Sequence, residues 1–324
     1  MRQFFLFCFS ILISIHCVRA QDPNFSQTYI QSMFLNPALT GELKGWQLNG
    51  HFRNQSYGFA GNSTASVVGI QKQISKISTG LGLTLLNESL GPETFGHAGL
   101  NMSKILGKKD TFQISLGLKI DFGQSNNSLP QSLIFGDQID NQFGFINPTN
   151  ELALIPSKVN YLNTTAGIDF KIFKGNLGFT FANINKPKTG YNNFNAEIYL
   201  PRRLTNYFSY SFILNESVQF HPIVVYTFHN DINSILYGVS SQYKFINTFI
   251  GYRDYDTFIS GIGINSNRLK FQYSFDLKQS TQETPSILLP QQSTNMTEIL
   301  ASHELGIIYR FGSKNGLEDR NFAF

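Results

Sequence analysis

The chain has 324 residues, of which only 14% are charged and 14% aromatic, with 31 phenylalanines. The formal charge of +4 falls by two once Arg2 and Arg19 are set aside, and no basic run or patch appears, so nucleic acid has no support as a partner. Low charge, many aromatics, no long apolar run in the body of the chain and a mean hydropathy slightly below zero exclude a helical membrane protein. They favour an all-β chain whose two faces meet different solvents.

Phe4 to Val18 is the one continuous apolar stretch. Arg2 precedes it, and Val18-Arg19-Ala20 supplies small residues where a signal peptidase reads. Residues 1–20 are therefore expected to be a secretory signal peptide, cleaved after Ala20. Cys8 and Cys17 both fall inside it, which leaves the mature chain without disulfides. Residues 21–43 do not alternate. A short helical turn over Tyr29–Leu35 is expected there, stopped before Pro37. This segment either folds back as a lumen plug, with Phe25, Met33, Phe34 and Leu35 as wedges, or hangs as a periplasmic tail.

From residue 44 onward a period of two takes over. Leu48 and Phe52 alternate with Gln47, Asn49, His51 and Arg53. Weaker copies follow at Thr64–Lys72, Leu81–Leu85 and Ala98–Met102. The cleanest is Thr111–Asp121: Phe112, Ile114, Leu116, Leu118 and Ile120 are apolar, and the residues between them are polar or glycine. One greasy and one wet face, over about ten residues, is what a tilted membrane-crossing strand needs. Further copies lie at Leu162–Phe170, Asn176–Ile184, Arg203–Ile213, Ser217–Phe228, Ser234–Lys244, Ile246–Arg253, Thr257–Asn265, Leu269–Leu277 and Leu305–Phe311. The tally is about fourteen, an even number.

The connections sort by parity. If the first strand rises from the periplasm, the long connections, Phe122–Ser157, Asn185–Arg202 and Lys278–Ser302, all fall outside, and only tight turns fall inside. A β-sandwich has no reason to sort its loops this way. The expected fold is a transmembrane antiparallel β-barrel of about fourteen strands over residues 44–311, with a periplasmic tail at 312–324. The lumen of such a barrel is too wide for wall side chains to fill. The apolar rows must then face the lipid bilayer, and Arg53, Lys119, Asp121, Asp169, Asp276, Glu304 and Arg310 must face the lumen. Gly80, Gly82, Gly261 and Gly263 lie within strands, where they let a strand bend or leave space in the lumen.

No chemistry of turnover stands out. His51, His97, His221, His229 and His303 show no metal-ligand spacing. A lipase-like group built from Asn206, Ser209 and His221 reads more simply as wall and loop polar residues. No catalytic residue, metal or cofactor is assigned, and a non-enzymatic role is expected.

Asp22-Pro23-Asn24-Phe25-Ser26-Gln27, Asn36-Pro37-Ala38 with Gly41, and Arg53-Asn54-Gln55 resemble the opening of the PorP/SprF family of the type IX secretion system. The likeness continues at Leu200-Pro201-Arg202, Ile250-Gly251-Tyr252-Arg253 with Asp256, Phe271–Asp276 and Ser302–Leu305, so it spans the mature chain. It departs at Leu43-Lys44-Gly45-Trp46, where the family more often carries an Arg, and at Ser56, where a Trp is common. The resemblance implies an outer-membrane protein of a Bacteroidetes-type bacterium. It implies work with the type IX translocon on secretion or surface attachment of cargo bearing a C-terminal sorting domain, an adhesin or gliding protein. A periplasmic peptidoglycan-binding partner is implied for some members. A channel for small solutes is the alternative reading.

Overall fold

The computed structural model describes residues 25–28, 30, 32–56, 62–91, 93–108, 111–127, 139–140, 144–145, 157–189, 199–215, 217–229, 232–254, 256–282 and 296–312. Residues 1–20, expected from the sequence to be a signal peptide, Asp22, Pro23, most of the three long connections and the tail beyond residue 312 lie outside them.

Fourteen strands form the wall. The first half comprises β1 (Trp46–Ser56), β2 (Asn62–Ile74), β3 (Thr79–Leu90), β4 (Glu93–Lys108), β5 (Phe112–Asn127), β6 (Ser157–Ile172) and β7 (Gly175–Ala182). The second half comprises β8 (Arg203–Tyr210), β9 (Val218–His229), β10 (Ile232–Tyr243), β11 (Ile246–Arg253), β12 (Thr257–Asn265), β13 (Leu269–Gln282) and β14 (Met296–Phe311). A two-residue piece, Phe212–Ile213, extends β8 past Ser211 and pairs with β9. Every neighbour is antiparallel. The sheet closes where β1 meets β14, with Trp46 opposite Phe311. Closure leaves no strand edge along the wall for lipid to solvate. Among the described residues no helix is long and apolar enough to cross a membrane.

The alternation read from sequence sorts as expected. On β5, Phe112, Leu116, Leu118, Ile120 and Phe122 lie exposed on the outside, while Gln113, Ser115, Lys119 and Asp121 are buried on the inside. From Phe112 to Phe122 is ten residue steps, which at the usual rise and tilt gives an apolar band roughly 25 Å tall. Gln124 continues the outer row above that band. Leu116→Lys is therefore expected to cost about 2–4 kcal/mol, whereas Gln124→Lys on the same face costs about 0–1. Unfolding midpoints of the two variants in detergent check this, and equal midpoints would place the band elsewhere.

Two features depart from the expectation. The strands run longer: β4 starts at Glu93, and β5 reaches Asn127, which shortens the connection read as Phe122–Ser157. The inward face is also not uniformly polar. Tyr207, Ile223, Val225, Leu236, Phe249 and Ile259 on β8–β12 point inward and pack on Leu35 and Leu39 of the N-terminal segment. These strands have something apolar to bury on both faces, so their sequences alternate less cleanly.

Candidate functional site: the occupied lumen

The described residues between Phe25 and Glu42 lie against the inner wall and touch it on all sides. Locally they fold as a four-residue helical turn, Ser32–Leu35, and a 3₁₀ turn, Pro37–Leu39. Asn36 sits between them in extended conformation, as a residue before proline must, and its Oδ1 accepts from the Ala38 N–H at 2.9 Å. Proline in the first position of the turn loses no hydrogen bond there.

Four groups of contacts hold the segment, from the loop end of the barrel to the turn end. Nearest the loops, the Glu304 carboxylate accepts from two consecutive backbone N–H groups, Ser26 at 2.7 Å and Gln27 at 3.1 Å. Arg53 from β1 ion-pairs with both Glu304 and Asp276, and His51 Nε2 lies 3.2 Å from Glu304. The Ser26 hydroxyl donates to Asp276 at 2.5 Å and accepts from Arg253 at 2.5 Å. Gln27 Nε2 donates to Ser274 Oγ at 2.8 Å. Arg53, Arg253, Asp276 and Glu304 are all buried. Two cations face two anions, so the set is neutral as a whole. Each member would be costly alone, because a buried charge must be paired and hydrogen-bonded.

Below this, Phe25 packs edge-on against Phe34 and beside Ala65 and Val67, and the Lys119 ammonium lies 5.5 Å from the Phe34 ring while ion-paired to Asp121 at 2.8 Å. In the middle, Asn36 Nδ2 donates to the Ile168 carbonyl at 3.0 Å and to the Tyr207 hydroxyl at 3.2 Å, and that hydroxyl donates to Asp169 at 2.6 Å. At the turn end, Gly41 N–H donates to Gln71 Oε1 at 2.7 Å, Ser103 Oγ donates to the Thr40 carbonyl at 2.5 Å, and Glu42 pairs with Lys171.

The wall is shaped to receive this segment. A Cβ at Gly117 would run into the backbone of Pro37 and Ala38, and one at Gly80 into the Thr40 carbonyl. Gly69 and Gly82 together leave the slot that Met33 fills. For Gly80 and Gly82 it is the lumen-space reading, of the two open in the sequence, that these contacts match.

The residues singled out in the sequence are thus scattered along the chain but partly gathered in space. Ser26, Gln27, Arg53, Asp276 and Glu304 form one cluster, with Phe25 against His51 at its edge. Gln55 accepts from Arg53 Nε at 3.2 Å. Asn54 stands apart: its neighbours on β1 face inward, and it lies on the outer row opposite His303. Asn36 and Asp169 meet through Tyr207, Pro37 rests over Gly117, and Gly41 caps the segment's descent with φ of 66°. Lys119 and Asp121 are a separate pair, and Arg310 is half-buried in the inward row of β14 near the turns. Sequence reasoning missed His51, Arg253 and Tyr207 as partners. All three lie in alternating stretches quoted above, but nothing in their spacing tells which inward side chains meet.

A closed wall of fourteen antiparallel strands, an apolar outer band and short turns at one end define an outer-membrane β-barrel. The chain belongs to the PorP/SprF family: the model described as type IX secretion system membrane protein PorP/SprF matches residues 18–287. No curated relative matches. Among solved structures the fold is similar to the Ralstonia pickettii toluene transporter TbuX, with 9% identity over 87% of this chain and 93% of that one and a TM-score of 0.53. It is also similar to a Pseudomonas aeruginosa FadL homologue, with 12% identity over 87% and 94% and a TM-score of 0.51. A third is the CymD monoaromatic hydrocarbon channel, at 12% identity, 91% and 95% coverage and a TM-score of 0.50. At such identities these likenesses establish the barrel fold and nothing about cargo.

Proposed function

We propose that this chain is a non-enzymatic accessory of type IX secretion, one that receives or retains secreted cargo at the cell surface rather than conducting solute. The cargo class is a protein bearing a C-terminal sorting domain, an adhesin or gliding protein, handed over by the translocon. A peptidoglycan-binding protein beneath the barrel is the corresponding periplasmic partner. The single observation that carries the reading is the occupied lumen: the described residues between Phe25 and Glu42 bond to inward-facing groups from β1 round to β14, which leaves the barrel as a platform. Long connections on a rigid platform are where a protein partner binds.

The experiment is a deletion of residues 130–150, bridged by a short Gly-Ser linker, in the native host. These residues lie beyond the end of β5, so the wall keeps its strands. The expected result is an outer membrane with normal barrel content that has lost nearly all cell-bound cargo to the medium. Cargo still on the cell would remove this connection from the account.

A small-solute channel is the second reading, favoured by the polar inner faces of β1–β6, β13 and β14. TbuX is a toluene transporter and CymD a monoaromatic hydrocarbon channel, and small aromatic hydrocarbons are one class of solute such a channel would take. Conductance of the intact barrel in planar bilayers separates the two readings.

A further inference from the structure

The turn end of the barrel carries charge of one sign. Lys44, Lys72, Lys76, Lys104, Lys174, Lys244 and Arg268 are exposed there. Among the described residues its one carboxylate is Glu42, which is turned inward to Lys171. The loop end is mixed: Glu88, Glu93, Asp254 and Asp256 stand among Lys158, Lys186, Lys188, Arg202 and Arg203.

The densest part of this basic end surrounds the β2–β3 turn, and its side chains sit on the lipid-facing rows. Lys72 lies on the outer face of β2, with its Nζ 4.7 Å from the centroid of the outward ring of Trp46. Lys104 interrupts the apolar outer row of β4, between Met102 and Leu106. It reaches down to donate to the Ile77 carbonyl at 2.6 Å. Lys76 occupies the turn itself, next to Ile77, whose side chain is 54% exposed. Lys72 keeps its ammonium donors for a ligand, and Lys104 keeps two of three. A cation over an interfacial indole, a second cation within an apolar row and a protruding aliphatic tip fit one kind of molecule: a phosphate headgroup with acyl chains attached. A soluble acidic protein would approach from below the turns and would not meet Lys104 within its apolar row.

We infer that Trp46, Lys72, Lys76, Ile77 and Lys104 form a binding site for an anionic phospholipid of the periplasmic leaflet. The phosphate lies between the three ammonium groups, and the acyl chains run up the outer faces of β2–β4 past Leu81, Leu83 and Leu100. This goes beyond the cargo role and does not depend on it.

The test is native mass spectrometry of the full mature chain in detergent, with equimolar phosphatidylglycerol and phosphatidylcholine. Wild type should retain phosphatidylglycerol with a preference of roughly fivefold or more, the scale of one lysine near an anionic surface. The triple variant Lys72→Gln, Lys76→Gln, Lys104→Gln should fall to parity. A matched outer-rim triple, Lys158→Gln, Lys186→Gln, Lys188→Gln, should keep the preference. If the first triple fails to fold, Lys72→Gln alone should still lower the ratio, and the wild-type ratio should fall in high salt. A wild type that retains both lipids equally overturns the site and leaves an acidic periplasmic protein as the occupant of the basic end. A triple variant that keeps the wild-type ratio overturns it as well.

Discussion

Glu304→Ala frees the upper end of the N-terminal segment. Glu304 ties the backbone of Ser26 and Gln27 to His51 and Arg53. Removing it strands two backbone donors and unbalances a buried set of charges by one. Breaking a buried ion pair from one side costs about 3–5 kcal/mol. That cost need not unfold the wall, because the ladder bonds of β1, β13 and β14 remain. It is relieved by letting water and residues 25–27 exchange places. The expected result is that a cysteine at Ser26, in a chain made without residues 1–20 and so with no other cysteine, reacts with a soluble maleimide at least ten times faster in the Glu304→Ala background than with Glu304 intact. Equal rates would mean that the other contacts hold the segment without this one. Swapping Arg53 and Glu304 together for Met and Leu gives the complementary case. It removes the charge imbalance as well as the bonds, so stability should recover while the cysteine stays reactive.

Deletion of residues 22–42 should open a water-filled passage. A fourteen-stranded wall is too wide for its own side chains to fill, and here the segment supplies much of the filling. Without it the glycines that accept it, Gly69, Gly80, Gly82 and Gly117, become hollows. The inward apolar group on β8–β12 loses Leu35 and Leu39 and faces water, which lowers stability by a few kcal/mol at the usual value of about 25 cal/mol per Å². The wall itself closes through backbone pairing from Trp46 to Phe311 and does not need the segment.

The wall was legible and its filling only partly so, for a physical reason. A strand writes its two solvents into its own sequence, so Phe112 to Phe122 reads as a membrane strand without its neighbours. The tight turns and the parity of the long connections then give strand number and orientation. Strands β8–β12 read less clearly because Val225, Leu236 and Phe249 bury against the segment, which breaks the alternation. The segment has no period at all. Its meaning lies in partners up to 278 residues away, such as Ser26 to Glu304, and a spacing rule cannot show them. The family motifs did mark Ser26, Gln27, Asn36, Arg53, Asp276 and Glu304, but as separate words. That Arg53, Asp276 and Glu304 hold Ser26 and Gln27, and that Tyr207 joins Asn36 to Asp169, are facts of closure. Gly117 carries no sequence mark that distinguishes a void from a bend.

The most direct test of this account is single-channel conductance in planar bilayers, comparing the intact mature barrel with the chain lacking residues 22–42. The account predicts no steady conductance for the intact barrel and a stable, ion-conducting state for the deletion, with Glu304→Ala showing intermittent openings. A large steady conductance from the intact protein would contradict it and would make the chain a channel.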